Sequence, residues 1–214
     1  MSEPVSYFTH FALTRVVRRL CWMIGVSLIL TGCSLFQSNN SVPQDLTVEQ
    51  RAAYLKRTDH WRMVGRIGII TPKESNTANI EWHRKGSESE LRIYGFVGNT
   101  YALLTTTPTQ SKISLSDDEV YYGTDPEQLL WQTTGWQIPV NALTQWILGL
   151  PDNAPSVSFD NSGLVNQLAF DDWLMNFQKY ESFSGLTMPK KIKITHPDIT
   201  LKFSVRTWEM NPDD

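Results

Sequence analysis

The chain reads as a mainly β protein with helices, an α+β fold. About eleven antiparallel strands form one sheet, and helices cover its apolar face. Three observations predict this. From residue 61 to residue 207, apolar side chains recur with a period of two in short runs. The runs are separated by turn formers too short to carry a crossover: Pro72, Lys85-Gly86, the stretch 95–98, Pro108 and Asp117-Asp118. Neighbouring strands are therefore antiparallel hairpins. The pattern is broken in mid-sequence by two stretches of helical period. About eleven strands in one sheet must curl strongly or close. Helices that are apolar on one side are satisfied by lying on the sheet's apolar face.

In chain order, a leader precedes the fold. Arg15, Arg18 and Arg19 stand before an apolar run over residues 20–30, which ends in Leu30-Thr31-Gly32-Cys33. A membrane span needs roughly 20 apolar residues and a signal core about 7–15, so this is a secretory signal over residues 1–32. The alternative is a weak N-terminal anchor helix with a chance cysteine. Residues 33–46 are rich in Ser, Asn and Gln and read as a flexible tether with a reach of roughly 20 Å. Residues 47–214 form a single domain.

The first helix spans residues 47–60. Thr47 is its cap, and Gln50 sits at the capping-box position. Arg51, Lys56 and Arg57 make it mostly polar, while Tyr54 and Leu55 dock it. Strands then follow at 61–71, 78–83, around Leu91 and Ile93, and at 101–107, 112–116 and 119–122. Asp125 caps the next helix, with Pro126 as its first residue and Gly135 at its end. A third helix is capped by Asn141 and carries Leu143, Trp146, Ile147 and Leu150 on one face. Gly149 and Pro151 stop it. No residue from 141 to 150 is charged. Strands return at 156–159, 164–170 and 173–180. After Ser184-Gly185 and Pro189 come strands at 191–195 and 199–207.

Composition narrows the function. The whole chain has 19 basic and 22 acidic residues; loss of Arg15, Arg18, Arg19 and Glu3 with the leader leaves 16 against 21, a net charge of −5. This excludes a nucleic-acid binder and argues against broad electrostatic adhesion to an anionic membrane. Cys21 leaves with the leader, so no disulfide or Cys-ligated metal is expected. His60, His83 and His196 lie far apart, and neither a nucleophile elbow nor a phosphate loop occurs. The expectation is a protein without catalytic residues, metal or cofactor. Asp117-Asp118-Glu119 and Asp171-Asp172 read as solvated turns.

Leu30-Thr31-Gly32-Cys33 resembles the bacterial lipobox, which implies lipidation at Cys33 and cleavage before it. Ser34 resembles the outer-membrane class of such lipoproteins. The body resembles the LolA/LolB-like lipoprotein-localisation family, on its outer-membrane receptor side. The residues that carry this are Trp61 with Gly65-Arg66, Gly135-Trp136-Gln137-Ile138-Pro139, Leu143, Trp146-Ile147-Leu148-Gly149-Leu150-Pro151, Leu186-Thr187-Met188-Pro189 and Trp208.

The resemblance implies an incomplete antiparallel β-barrel with helices over its concave side. It also implies a monomer, held at the inner leaflet of the outer membrane and facing the periplasm. Such a protein takes lipoproteins from a LolA-like periplasmic carrier and passes them to outer-membrane lipid without ATP. Periodicity alone makes Ile80, Trp82, Leu91, Ile93, Phe170, Met175, Phe177, Leu201 and Phe203 core. The resemblance instead makes them, with Leu143, Trp146 and Ile147, the walls of a cavity for lipoprotein acyl chains.

Gly95-Phe96-Val97-Gly98 is a hairpin tip with two apolar residues where turns are normally wet. They either tuck into the core or stay out and touch lipid. The family implies the second, as a membrane-insertion loop with an apolar residue, usually Leu, at the position of Val97. Phe96 stands where the family has Pro. A β-rich structural or assembly lipoprotein with a solid core is the competing function, and a lipoprotein hydrolase is a distant third.

Overall fold

The computed structural model describes residues 43, 45–135, 138–151 and 154–211. The leader, Cys33, most of the tether and the central Trp136-Gln137 lie outside the described residues.

Eleven strands form one antiparallel sheet. They are β1 (His60–Ile70), β2 (Ser75–Lys85), β3 (Glu88–Tyr94), β4 (Thr100–Thr106), β5 (Ser111–Leu115), β6 (Val120–Gly123), β7 (Ser156–Phe159), β8 (Val165–Phe170), β9 (Trp173–Phe183), β10 (Leu186–His196) and β11 (Ile199–Met210). Their spatial order is β6-β5-β4-β3-β2-β1-β11-β10-β9-β8-β7. Two meanders are thus zipped together at the centre by the first and last strands, from Trp61↔Met210 to Ile70↔Thr200. The sheet is unclosed: among the described residues no ladder joins β6 to β7. Both edge strands are only four residues long, which limits their use as templates for another chain.

Helix α1 (Val48–Arg57) has the full capping box: Thr47 and Gln50 bond each other's backbone N–H groups. Helix α2 (Pro126–Thr134) is capped by Asp125, whose carboxylate accepts from the Glu127 N–H at 2.9 Å. It ends on Gly135, whose φ of 76° lies in the left-handed region that glycine tolerates. Helix α3 (Val140–Trp146) is followed by a turn that closes on Gly149. The α2–α3 segment is the only link in the chain between the two edge strands, and α2 packs on β5, β6 and α3.

Four local expectations are corrected. Asn141 is not the cap of α3. Pro139 holds that position, and the Asn141 N–H is satisfied by Glu127 Oε1 of α2 at 3.2 Å. Pro189 does not precede its strand but lies inside β10. A bulge there absorbs the missing N–H, and the Pro189 carbonyl accepts from Trp208 Nε1 at 2.8 Å. Strands β9 and β10 also extend to Phe183 and from Leu186, because Ser184 and Gly185 both adopt positive φ and make a tight hairpin. Arg51 is not on a solvated face: it is 4% exposed. Its Nη2 donates to the Leu148 carbonyl at 2.6 Å and its Nε to the Thr187 carbonyl.

The inner face alternates with the outer one most clearly in β11. Ile199, Leu201, Phe203 and Val205 are buried, and Lys202, Ser204 and Arg206 are exposed. Three tryptophans meet edge to face in the core: Trp61 lies 5.4 Å from Trp82 and 5.8 Å from Trp208, centroid to centroid. Gly65 sits at the β1–β11 bulge, where a Cβ would fall 2.5 Å from the Ser204 carbonyl oxygen. Only a residue without a side chain lets the two strands meet there.

Candidate functional site

The two halves of the concave face are filled differently. Over β8–β10 the interior is solid. The end of α3 lies there, with Trp146 edge to face on Phe170 at 5.3 Å and Ile147 and Leu148 fully buried. Met175 is buried, and Phe177 stacks on Tyr180 at 5.8 Å. Over β1–β5 the interior is hollow, with a cavity of about 470 Å³. Ile67 and Ile69 of β1, Ala78, Ile80 and Trp82 of β2, and Leu91 and Ile93 of β3 make one wall. Ala102 and Leu104 of β4 with Ile113 and Leu115 of β5 make the next. Leu201 and Phe203 of β11 face them, and Leu130, Ile138, Val140 and Leu143 of the α2–α3 segment form the cover. The remaining lining groups are Asn76, Thr77, Tyr101 and Thr134; among the described residues no charged one lines the cavity. Its size and apolar lining are those of a ligand site rather than a packing defect.

Seven of the expected cavity residues line this space: Ile80, Trp82, Leu91, Ile93, Leu143, Leu201 and Phe203. Five do not: Trp146, Ile147, Phe170, Met175 and Phe177 pack the solid half. The physical reason is that one short helix and its following turn can fill only part of a wide curled sheet. Most of the charge-free run 141–150 is spent on β8–β10, so among the described residues β2–β5 are covered by α2, Ile138 and the start of α3 with Leu143. Sequence reasoning missed Ala102, Leu104, Ile113 and Leu115 as wall residues. Their signal was present, since both pairs alternate in phase with Leu91 and Ile93.

The 95–98 tip stays out of the core. Val97 is 93% exposed and Phe96 69%. The turn is closed by the Gly95 N–H on the Asn99 carbonyl at 2.8 Å and the Gly98 N–H on the Gly95 carbonyl at 3.1 Å. Gly98 has a φ of 91°, and a Cβ on Gly95 would lie 2.6 Å from the Tyr101 hydroxyl oxygen. The positive φ demands glycine at 98, whereas at 95 the clash is with side-chain ends that can move. Tyr101 also lines the cavity, so the root of the tip adjoins the cavity wall. Arg92 braces the loop by donating to the Gly98 carbonyl at 3.1 Å and to Thr100 Oγ1 at 2.9 Å.

The outer face of β1, β2 and β11 carries a charged network. Arg62 donates to Glu81 at 2.6 Å and to Glu209 at 3.1 Å, and His83 Nε2 lies 2.9 Å from Glu81. Burial pushes the Glu81 carboxyl up, but hydrogen bonds from His83 and Arg62 outweigh it and hold it below the usual carboxylate range. Among the described residues no helix is long and apolar enough to cross a membrane.

An unclosed antiparallel half-barrel with a hollow, uncharged interior under a helical cover defines a class of small cavity-bearing β proteins. The particular family follows from comparison. The family model of outer membrane lipoprotein LolB matches residues 59–208. The outer-membrane lipoprotein LolB of Tolumonas auensis is 31% identical over 183 residues, covering 86% of this chain and 92% of that one. That of Vibrio campbellii is 29% identical over 195 residues, covering 86% and 93%. Among solved structures, a LolA superfamily protein from Nitrosomonas europaea aligns with a TM-score of 0.47 and 8% identity, over 79% of this chain and 96% of that one. The chain belongs to the LolB family of outer-membrane lipoproteins, and its role lies in outer-membrane lipoprotein localisation.

Proposed function

We propose that this protein is a receptor at the outer membrane that accepts lipoproteins from a LolA-like periplasmic carrier and inserts them into the bilayer. The observation that carries the reading is the juxtaposition of an uncharged apolar cavity with an exposed apolar tip at its edge. Acyl chains occupy the cavity between Ile80, Trp82, Leu91, Ile93, Leu143, Leu201 and Phe203. The chain carries no phosphate-loop motif, so the transfer runs downhill, driven by burial of apolar area at about 25 cal/mol per Å². The cavity must hold the chains better than the carrier and less well than the bilayer. A cover made largely of the short helix α2 suits that compromise, because α2 can shift while the end of α3 stays anchored in the solid half.

Cys33 carries the lipid anchor in this reading, and the tether lets the body turn over the membrane. Intact mass of the mature protein checks it: a chain beginning at residue 33 with added acyl mass is expected, and an unmodified Cys33 would remove the anchor. The tip acts at the last step. Phe96→Glu with Val97→Glu should leave cavity binding of lipoprotein intact and block insertion, since a carboxylate enters the acyl region only at high cost. The assay scores receptor-bound and membrane-inserted cargo separately after transfer from the carrier. Normal insertion by the double variant, or joint loss of binding and insertion, would show that the tip is not an insertion device.

A further inference from the structure

The outer face of the sheet holds a feature that the cavity and the tip do not explain. Strand register places two adjacent rows of side chains across its centre. One row runs Tyr94, Asn79, Arg66, Ser204, Lys191, Lys179. The next runs Thr77, Gly68, Lys202, Lys193, Asn176, Gln167. The two rows contain five cations and no carboxylate. Lys179 has a partner in Glu181 at 3.1 Å. Arg66, Lys191, Lys193 and Lys202 have no carboxylate within 4.0 Å among the described residues. Arg206, exposed on β11 at the bulge between Val64 and Gly65, adds a further cation without one.

Lys193 and Lys202 are direct cross-strand neighbours. Like charges placed directly opposite on a sheet destabilise it. The arrangement costs the free protein stability, in a mature chain whose expected net charge is acidic. An anion against this face would relieve the repulsion.

Position identifies the anion. The Arg66 guanidinium lies over the Phe96 ring, 5.5 Å from its centroid. The basic rows are therefore continuous with the exposed tip: a basic surface ends in an apolar wedge. A basic surface beside an apolar wedge fits an interface of phosphate headgroups over acyl chains. A soluble acidic protein would account for the lysines but not for the wedge.

We propose that Arg66, Lys191, Lys193, Lys202 and Arg206 form a docking face for anionic phospholipid headgroups, which lays the receptor on the membrane with its tip directed into the lipid. This inference deepens the receptor reading and rests on it. It does not restore broad adhesion by net charge; the attraction is confined to one face. Each cation near an anionic leaflet favours the docked state by roughly fivefold, so three of them together change it by about a hundredfold.

The test uses the full lipidated protein, reconstituted through its own anchor into vesicles of phosphatidylcholine alone or with added phosphatidylglycerol. A fluorophore is attached at Ser204→Cys, and quenching by headgroup spin label is read. Stronger quenching in the phosphatidylglycerol vesicles is expected. It should be abolished at high salt and in the Lys191→Gln, Lys193→Gln, Lys202→Gln variant. Near-ultraviolet circular dichroism confirms that the variant is folded; if that triple variant unfolds, Lys193→Gln with Lys202→Gln is read in its place. Quenching that is equal in both vesicle types, or unchanged by the substitutions, overturns the proposal. So does protection of the fluorophore only when the periplasmic carrier is added, which would make the face a protein-docking surface. Binding of a fluorescent acyl probe is measured on the same samples. Failure of docking with probe binding intact removes this inference alone, whereas failure of the wild-type protein to bind the probe removes the receptor reading.

Discussion

Arg51 is a buried cation whose guanidinium is satisfied by backbone. It joins α1 to the turn after α3 through the Leu148 carbonyl and to β10 through the Thr187 carbonyl. Tyr180 stands beside it, with the guanidinium 5.7 Å from the ring centroid. Burial lowers the Arg51 pKa and raises that of Tyr180. Arg51→Ala removes the side-chain donor from the buried Leu148 carbonyl and the part-buried Thr187 carbonyl and should cost about 2 kcal/mol in chemical denaturation.

Glu81 supplies a pH dependence. Its folded pKa lies below the model-compound value of 4.5. Its contribution to stability is therefore fully present above pH 4.5 and is lost as pH falls through the lowered folded value. Glu81→Gln should flatten the fall in Tm below pH 4.5 while leaving the neutral end of the profile in place. An unchanged acid slope would assign the acid loss to other groups. Arg51 shows the limit of local reading. Its position on an otherwise polar helix gives no hint of burial, because both acceptors are distant in sequence.

Helix α3 and its following turn divide their charge-free sequence between the two halves. Val140 and Leu143 at the helix start line the hollow half, while Trp146, Ile147 and Leu148 fill the solid one. Trp146→Ala should therefore behave as a core truncation: a loss of about 3–5 kcal/mol, with acyl-probe affinity held within about twofold. A large affinity loss with little loss of stability would return Trp146 to the cavity wall. The strands were more legible than the helices. Period-two alternation is a local consequence of the pleat, so β7 appears with the expected bounds and the others within a few residues. The errors fall where a distant group intervenes. Glu127 satisfies the Asn141 N–H, which displaced the expected cap, and Trp208 satisfies the Pro189 carbonyl, which kept a proline inside a strand.

Across the whole protein, the decisive property is that the curled sheet is wider than its helical cover can fill. Ala102 lies in the hollow half, on the wall opposite the cover. Ala102→Trp puts a large side chain into existing space, so the usual penalty for overpacking is small. Acyl-probe affinity should fall about tenfold or more, equivalent to about 1.4 kcal/mol, with Tm unchanged or raised. Normal affinity in a folded variant would place the acyl chains elsewhere.

The linear chain carries the strand count, the antiparallel connections, the alternation of apolar and polar sides along the strands and the apolar character of the 95–98 tip. All of these depend on neighbours a few residues apart. It cannot say whether the inward faces touch. Alternation reports which side of a strand is apolar, and a cavity wall and a packed core have the same pattern. The distance between opposing walls comes from sheet curvature and from where α3 lands. The exposure of Phe96 and Val97 is likewise a tertiary outcome, since the residues alone allowed the tip to tuck in or stay out. The basic face is the clearest case. Lys191, Lys193, Lys202 and Arg66 are scattered along the sequence, and only the register of β1, β10 and β11 gathers them into one field.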